Sequence, residues 1–126
     1  MERALIYELK KIAEIGNRIY PMNIPEGTDR PCLAYNLIGS SEDKDLNGFT
    51  GYTESSYMFS VLAPTYKQMV DIRRKVIELV KGFLRRTIGE QNIYIQDVLI
   101  DDPQETYEIN LMLFRGIIDF TIYYKE

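Results

Sequence analysis

The sequence predicts a single α+β domain: a mostly antiparallel sheet of four to five strands packed by two main helices, in the order α-β-β-β-α-β-β, with a long hairpin loop at residues 39–51. Three observations predict it. Residues 3–15 and 65–84 carry apolar side chains at three- and four-residue spacing, the period of a half-buried helix. Between and after them lie runs rich in β-branched and aromatic residues, bounded by Gly, Pro, Asn and Asp. The chain of 126 residues is the length of one domain, because two would each bury too small a core.

In the first helix Leu5, Leu9 and Ile12 share a face, flanked by Ile6 and Ala13, and Gly16 stands where a C-terminal cap would fall. Asn17 to Tyr20 is short and β-prone. Pro21, Pro25, Gly27 and Pro31 then predict a structured loop over residues 21–31. Residues 32–38 and 52–63 read as strands, the second because Tyr57, Phe59 and Val61 alternate with smaller or polar neighbours. The acidic, glycine-containing segment between them reads as the long exposed tip of an antiparallel hairpin.

Thr65-Tyr66-Lys67-Gln68 matches a capping box and starts the second helix. Met69, Val70, Ile72, Val76, Ile77, Leu79, Val80, Phe83 and Leu84 occupy about half its circumference. So wide an apolar face predicts a helix laid across a sheet that also meets the first helix or a neighbouring subunit. Residues 93–100 read as a strand, Asp101-Asp102-Pro103 breaks it, residues 104–109 read as a polar turn, and residues 111–124 read as a long final strand. Gly116 suggests a bulge there.

Composition excludes much chemistry. Apolar residues make up 45% and charged residues 27%, a globular balance. There is no histidine, which removes the Ser-His and Cys-His couples and every His-containing zinc site. The single cysteine, Cys32, allows no internal disulfide and reads as a small buried hydrophobe. No signal-peptide segment or membrane span is expected, and no phosphate-loop or nucleophile-elbow motif occurs. The pair Asp101-Asp102 precedes a proline and reads as a turn initiator. No enzymatic activity and no cofactor are expected.

One motif invites a metal. Residues 43–54 satisfy the twelve-residue calcium-loop spacing, with Asp43, Asp45 and Asn47 offering side-chain oxygens, Phe49 a carbonyl and Glu54 a bidentate carboxylate. Both flanks read as strands rather than helices, so an acidic hairpin tip is the favoured reading and a calcium-responsive module the alternative.

Charge is polarised. The chain carries a net charge of −4, yet residues 67–86 hold seven Lys/Arg against two Asp/Glu, a net of +5, leaving −9 elsewhere. The basic helix face, with Arg74, Lys81 and Arg85, reads as a solvated face or as the complement of an acidic surface on a partner or another copy. General nucleic-acid binding fits the acidic remainder poorly. Arg73 falls by angle inside the apolar half, where it either lies its stem along the core or pairs with a carboxylate across a subunit boundary. Ten tyrosines without tryptophan add amphipathic candidates such as Tyr52.

The helix followed by Gly16-Asn17-Arg18-Ile19-Tyr20-Pro21, then Pro31-Cys32-Leu33-Ala34-Tyr35, resembles the N-terminal half of the tail completion proteins of long-tailed bacteriophages, also called tail terminators or tail-to-head joining proteins. A long strand entering Ala63-Pro64-Thr65-Tyr66, the helix after it and a closing strand with Asp119-Phe120-Thr121-Ile122 follow the same order. The resemblance spans nearly the whole chain and lies in the order of short segments; many members have a Trp where Leu62 stands. It implies an α+β subunit of a phage or prophage particle that closes into a homo-hexameric ring on the tail tube protein, stops tube growth and presents a docking surface to the head connector or stopper protein. Assembly would occur in the host cytoplasm, the finished protein would reside in the virion at the head-tail interface, and no membrane or specific nucleic acid would be a partner. The projecting hairpin would then contact the next subunit or the tube, with Phe49, Tyr52, Arg73, Arg74, Lys81 and Arg85 as interface candidates.

Overall fold

The structure is a computed structural model that describes residues 1–22, 24, 27, 29–110 and 112–125. Pro25 of the expected loop and Leu111 of the expected final strand lie outside the described residues. The elements are α1 (Glu2–Leu9), β1 (Ile19–Pro21), β2 (Cys32–Asp45), β3 (Gly48–Ala63), α2 (Tyr66–Lys81), β4 (Thr87–Ile88), β5 (Ile93–Ile100), β6 (Gln104–Glu108) and β7 (Leu113–Lys125).

All strands join one seven-stranded mixed sheet in the order β1-β2-β3-β7-β5-β4, with β6 also on β7. β1 is parallel to β2 and every other pair is antiparallel. β5 and β6 lie one after the other along the same edge of β7: Ile100 pairs with Phe120 and Gln104 with Ile117. Asp101-Asp102-Pro103 spans the break, where the Asp101 N–H donates to the Asp119 carbonyl at 2.9 Å. The sheet is thus two long hairpins, β2–β3 and β5/β6–β7, joined along β3 and β7.

Both helices cover one face. Tyr57, Phe59, Val61 and Ala63 of β3 and Ile118, Phe120, Ile122 and Tyr124 of β7 form the core with Met69, Ile72, Val76 and Val80 of α2 and Ala4, Leu5 and Leu9 of α1. The alternation in β7 puts every second side chain on that face. On the opposite face Cys32, Leu62 and Leu113 form a small second cluster with Tyr20 and Ile24. Cys32 is buried, and burial pushes its thiol pKa up, as expected of a packed hydrophobe.

Several expectations are corrected. Among the described residues the sheet has seven strands, not four to five. β4 is too short to show a period, and β6, expected as a polar turn, is almost wholly exposed, so only its pairing with β7 makes it a strand. Residues 39–51 are not a loop. The β2–β3 ladder runs to Lys44 opposite Phe49 and Asp45 opposite Gly48, with turn residues Leu46 and Asn47 at the tip. Backbone pairing here overrides an acidic composition that offers no packed face.

The first helix ends at Leu9, and the chain continues to Gly16 in turns tightened to three-residue hydrogen bonds, which keep Ile12 and Ile15 buried while Ala13 is exposed. The second ends at Lys81, so Leu84 and Arg85 lie beyond it. Gly116 is no bulge, because the ladder passes it in register; it is where α2 crosses the sheet, and a Cβ there would lie 2.5 Å from Met69 Sδ.

Candidate assembly surfaces

Two surfaces carry the candidate residues, and a third lies beside them. The first is the outward face of α2, whose start is set by Thr65: its hydroxyl accepts from the Gln68 N–H at 3.2 Å, a cap worth about 1 kcal/mol. Most cations of this region are already engaged within the chain. Arg74 reaches Asp71 at 3.3 Å, Lys75 pairs with Glu14, and Arg86 lies 3.8 Å from Glu8. The Lys75 ammonium holds the Glu14 carboxyl below its usual range. Among the described residues no carboxylate pairs with Lys67, Lys81 or Arg85. Arg85 sits in the turn after the helix with φ 57°, off the helix face where periodicity placed it.

Arg73 is held inside the subunit. Its stem lies against the core side, and its guanidinium donates to Glu105 Oε2 and to the Gln104 carbonyl, each at 3.1 Å. The carboxylate it needed comes from β6, the strand absent from the expected fold. Tyr66 donates to the other oxygen of Glu105 at 2.8 Å, so one carboxylate links the start of α2 to β6.

The second surface is the β2–β3 arm. Among the described residues β3 pairs with β7 only from Tyr52 onward, opposite Lys125, and the arm beyond it is a two-stranded ribbon projecting about 15 Å. At its tip Leu46 is fully exposed and Phe49 is 69% exposed, with the Lys44 ammonium 5.7 Å from the Phe49 ring centroid. Tyr52, at the base, stacks on Tyr123 at 5.1 Å, and Lys125 lies over its ring.

The calcium-like spacing sits on this arm, and the ladder separates its ligands. Asp43 accepts from the Tyr123 hydroxyl at 2.7 Å and the Thr50 hydroxyl at 3.0 Å, Asp45 accepts from the Asn47 N–H at 2.8 Å, and Glu54 is across from Ser41. The Tyr123 and Thr50 hydroxyls hold the Asp43 carboxyl below its usual range, and the Asp43 carboxylate pushes Tyr123 up to about 12. Among the described residues no group of three or more carboxylate or thiol side chains could hold a metal ion.

The third surface was missed in the sequence reading. A shallow groove runs between α1 and the β4–β5 turn, lined by Arg3, Ile6, Tyr7, Lys10, Glu90 and Gln91. Beneath it Glu8, only 3% exposed, receives the Lys11 ammonium at 2.6 Å and the Gly89 N–H at 3.2 Å. Burial alone would raise its pKa, but Lys11, the Gly89 N–H and Arg86 together hold the carboxyl below the usual range. The signal was present: Glu8 falls four residues after Ala4, three after Leu5 and four before Ile12, on the apolar face.

No protein-family model matches the chain, and no curated protein matches it by sequence. Its fold does match solved structures. One is a chain from the virion of a native gene transfer agent particle, 11% identical, with a TM-score of 0.67 over 98% of this chain and 94% of that one. A second solved chain is 10% identical, with a TM-score of 0.55 over 99% of this chain and 89% of that one. At such identities the likeness defines the fold. No helix among the described residues is long and apolar enough to cross a membrane.

Proposed function

We propose that the chain is a structural subunit of a phage-like particle, acting as a tail completion protein that closes into a hexameric ring on the tail tube and offers its other end to the head connector. The observation that carries this reading is the end-to-end fold likeness to a chain of a gene transfer agent virion. The segments behind the family resemblance support it. Ile19-Tyr20-Pro21 and Leu33-Ala34-Tyr35 pair side by side as parallel strands, and Arg18 donates to the Pro31 carbonyl at 2.8 Å, joining the two stretches.

A ring needs two different complementary patches on each subunit. An acidic projecting arm and the basic outward face of α2 offer such a pair. The reading assigns no catalytic step to the chain and makes the tail tube protein, the connector and other copies its partners in the virion.

Mixing purified protein with tail tubes lacking their terminal ring tests it. Electron micrographs should show one added ring per tube end, and such tails should then join filled heads. Tubes that stay bare and tails that remain unjoined would overturn the reading. Reversing charge at Lys81 and Arg74 separates the α2 face from the rest: unchanged joining would remove that face from the account.

A further inference from the structure

The β2–β3 arm is tied to β7 at its base, where Asp43 accepts from Tyr123, but its tip is exposed and has a definite chemical character. Its tip presents Leu46 and Phe49 to solvent, and three carboxylates, Glu42, Asp43 and Asp45, flank them against the single cation Lys44. An apolar tip on an acidic ribbon suits a groove with an apolar floor and basic walls. The groove between α1 and the β4–β5 turn comes near that composition. Ile6 and the 42%-exposed Tyr7 give apolar surface, the two cations Arg3 and Lys10 line it against the one carboxylate Glu90, and the Lys11 ammonium lies 5.4 Å from the Tyr7 ring centroid. Among the described residues no carboxylate pairs with Arg3 or Lys10.

Arm and groove do not meet within one subunit. Both leave the same end of the sheet, since Tyr52 and Tyr94 flank Lys125, but β7 and β5 separate β3 from β4, and among the described residues none of the arm lines the groove. The alternative of joining copies edge to edge is disfavoured by charge. The open edge of β2 carries Glu42, Asp43 and Asp45, and the opposite edge carries Asp97, Asp101, Asp102, Glu105 and Glu108.

We propose that the arm of one copy seats its Leu46–Phe49 tip in the α1/β4–β5 groove of the next copy, with Arg3 and Lys10 facing the carboxylates of the arm. This names the surfaces of the self-association on which the tail-completion reading rests. The contact is heterologous, so each subunit gives an arm to one neighbour and a groove to the other, the arrangement from which a ring is built when the rotation between copies closes. Apolar burial at the tip supplies affinity, and the charges set orientation and encounter rate.

Single-cysteine placement tests it. Asn47→Cys at the tip and Gln91→Cys at the groove are exposed substitutions, and buried Cys32 stays unreactive. The two variants are mixed with a short bis-maleimide, beside a control mixture of Asn47→Cys with Thr106→Cys. The Asn47–Gln91 adduct should form roughly tenfold faster than the control adduct, reflecting the local concentration that docking creates. That preference should vanish when Phe49→Asp is added to the tip variant and when Arg3→Glu and Lys10→Glu are added to the groove variant.

Equal yields in the two mixtures would overturn the inference. Equal yields with wild-type rings still forming on tail tubes would sink the docking and leave the tail-completion reading intact. A preferred adduct with a wild-type chain that never joins tails would establish the docking and sink that reading.

Discussion

The backbone N–H of Gly89 donates to the carboxylate of Glu8 at 3.2 Å, tying the turn before β5 to a buried acid on α1. Gly89 has φ +71°, and a Cβ there would lie 2.6 Å from the Cβ of Ala4. The same glycine therefore supplies a hydrogen bond, an uncommon backbone conformation and room for the helix. Gly89→Ala should destabilise the fold by about 3 kcal/mol, combining left-handed strain with overpacking. Urea denaturation measures it; a loss within 0.5 kcal/mol of zero would contradict this packing.

Glu8 predicts an acid limb of stability. Its folded pKa is depressed, so the unfolded chain binds more protons on acidification than the folded one, and stability rises with pH. The contribution is present above the unfolded value of about 4.3 and fades as pH falls through the folded pKa. Denaturation curves from pH 6 to 3 should steepen less with pH in Glu8→Gln than in wild type; identical slopes would show that Glu8 is not the group responsible.

Gly116 should couple to Met69. Adding a Cβ at Gly116 drives it to 2.5 Å from Met69 Sδ and 3.2 Å from Arg73 Cδ, both on α2. Gly116→Ala should cost about 2 kcal/mol, and shortening Met69 to Val should return about 1 kcal/mol of that loss in the double variant. A double-mutant cycle reads the coupling directly, and strict additivity would mean that the helix shifts freely over the sheet.

Alkaline titration should isolate Tyr123. The Asp43 hydrogen bond raises its pKa to about 12, so the fold retains this proton at pH values where an unfolded tyrosine has lost it. The interaction therefore stabilises below the unfolded value of about 10 and is lost as pH rises through the folded one. Ultraviolet difference spectra should lose the highest-pH component in Tyr123→Phe and move it down in Asp43→Asn. A spectrum unchanged in both variants would place the high-pH tyrosine elsewhere.

Calcium should leave the protein unaltered. Asp43 is engaged by two hydroxyls, Asp45 by the Asn47 N–H, and Glu54 is held by the ladder opposite Ser41. Melting temperatures in millimolar calcium and in chelator should coincide, since a ligand for the folded state would raise them with concentration. A saturating rise would restore the loop as a site.

The residues that announce themselves by pattern were legible in advance. The periodic face from Met69 to Val80, its Thr65 cap, the alternation of Tyr57, Phe59 and Val61 and the apolar character of Cys32 all follow from local rules that need no partner. Where a segment has no buried face of its own, the pattern is silent. The acidic arm and the polar β6 are strands because β3 and β7 pair with them, and their composition alone reads as loop.

The candidate surfaces divide the same way. Sequence by itself determined the α+β class, the basic helix and the lack of imidazole chemistry, because composition and short-range periodicity act along the chain. Only the tertiary structure decided that Arg73 meets Glu105 within the subunit, that Gly116 makes room for Met69, and that Glu8 is buried beneath Gly89. Each joins residues more than thirty positions apart, and such contacts depend on where the sheet brings its strands and helices together.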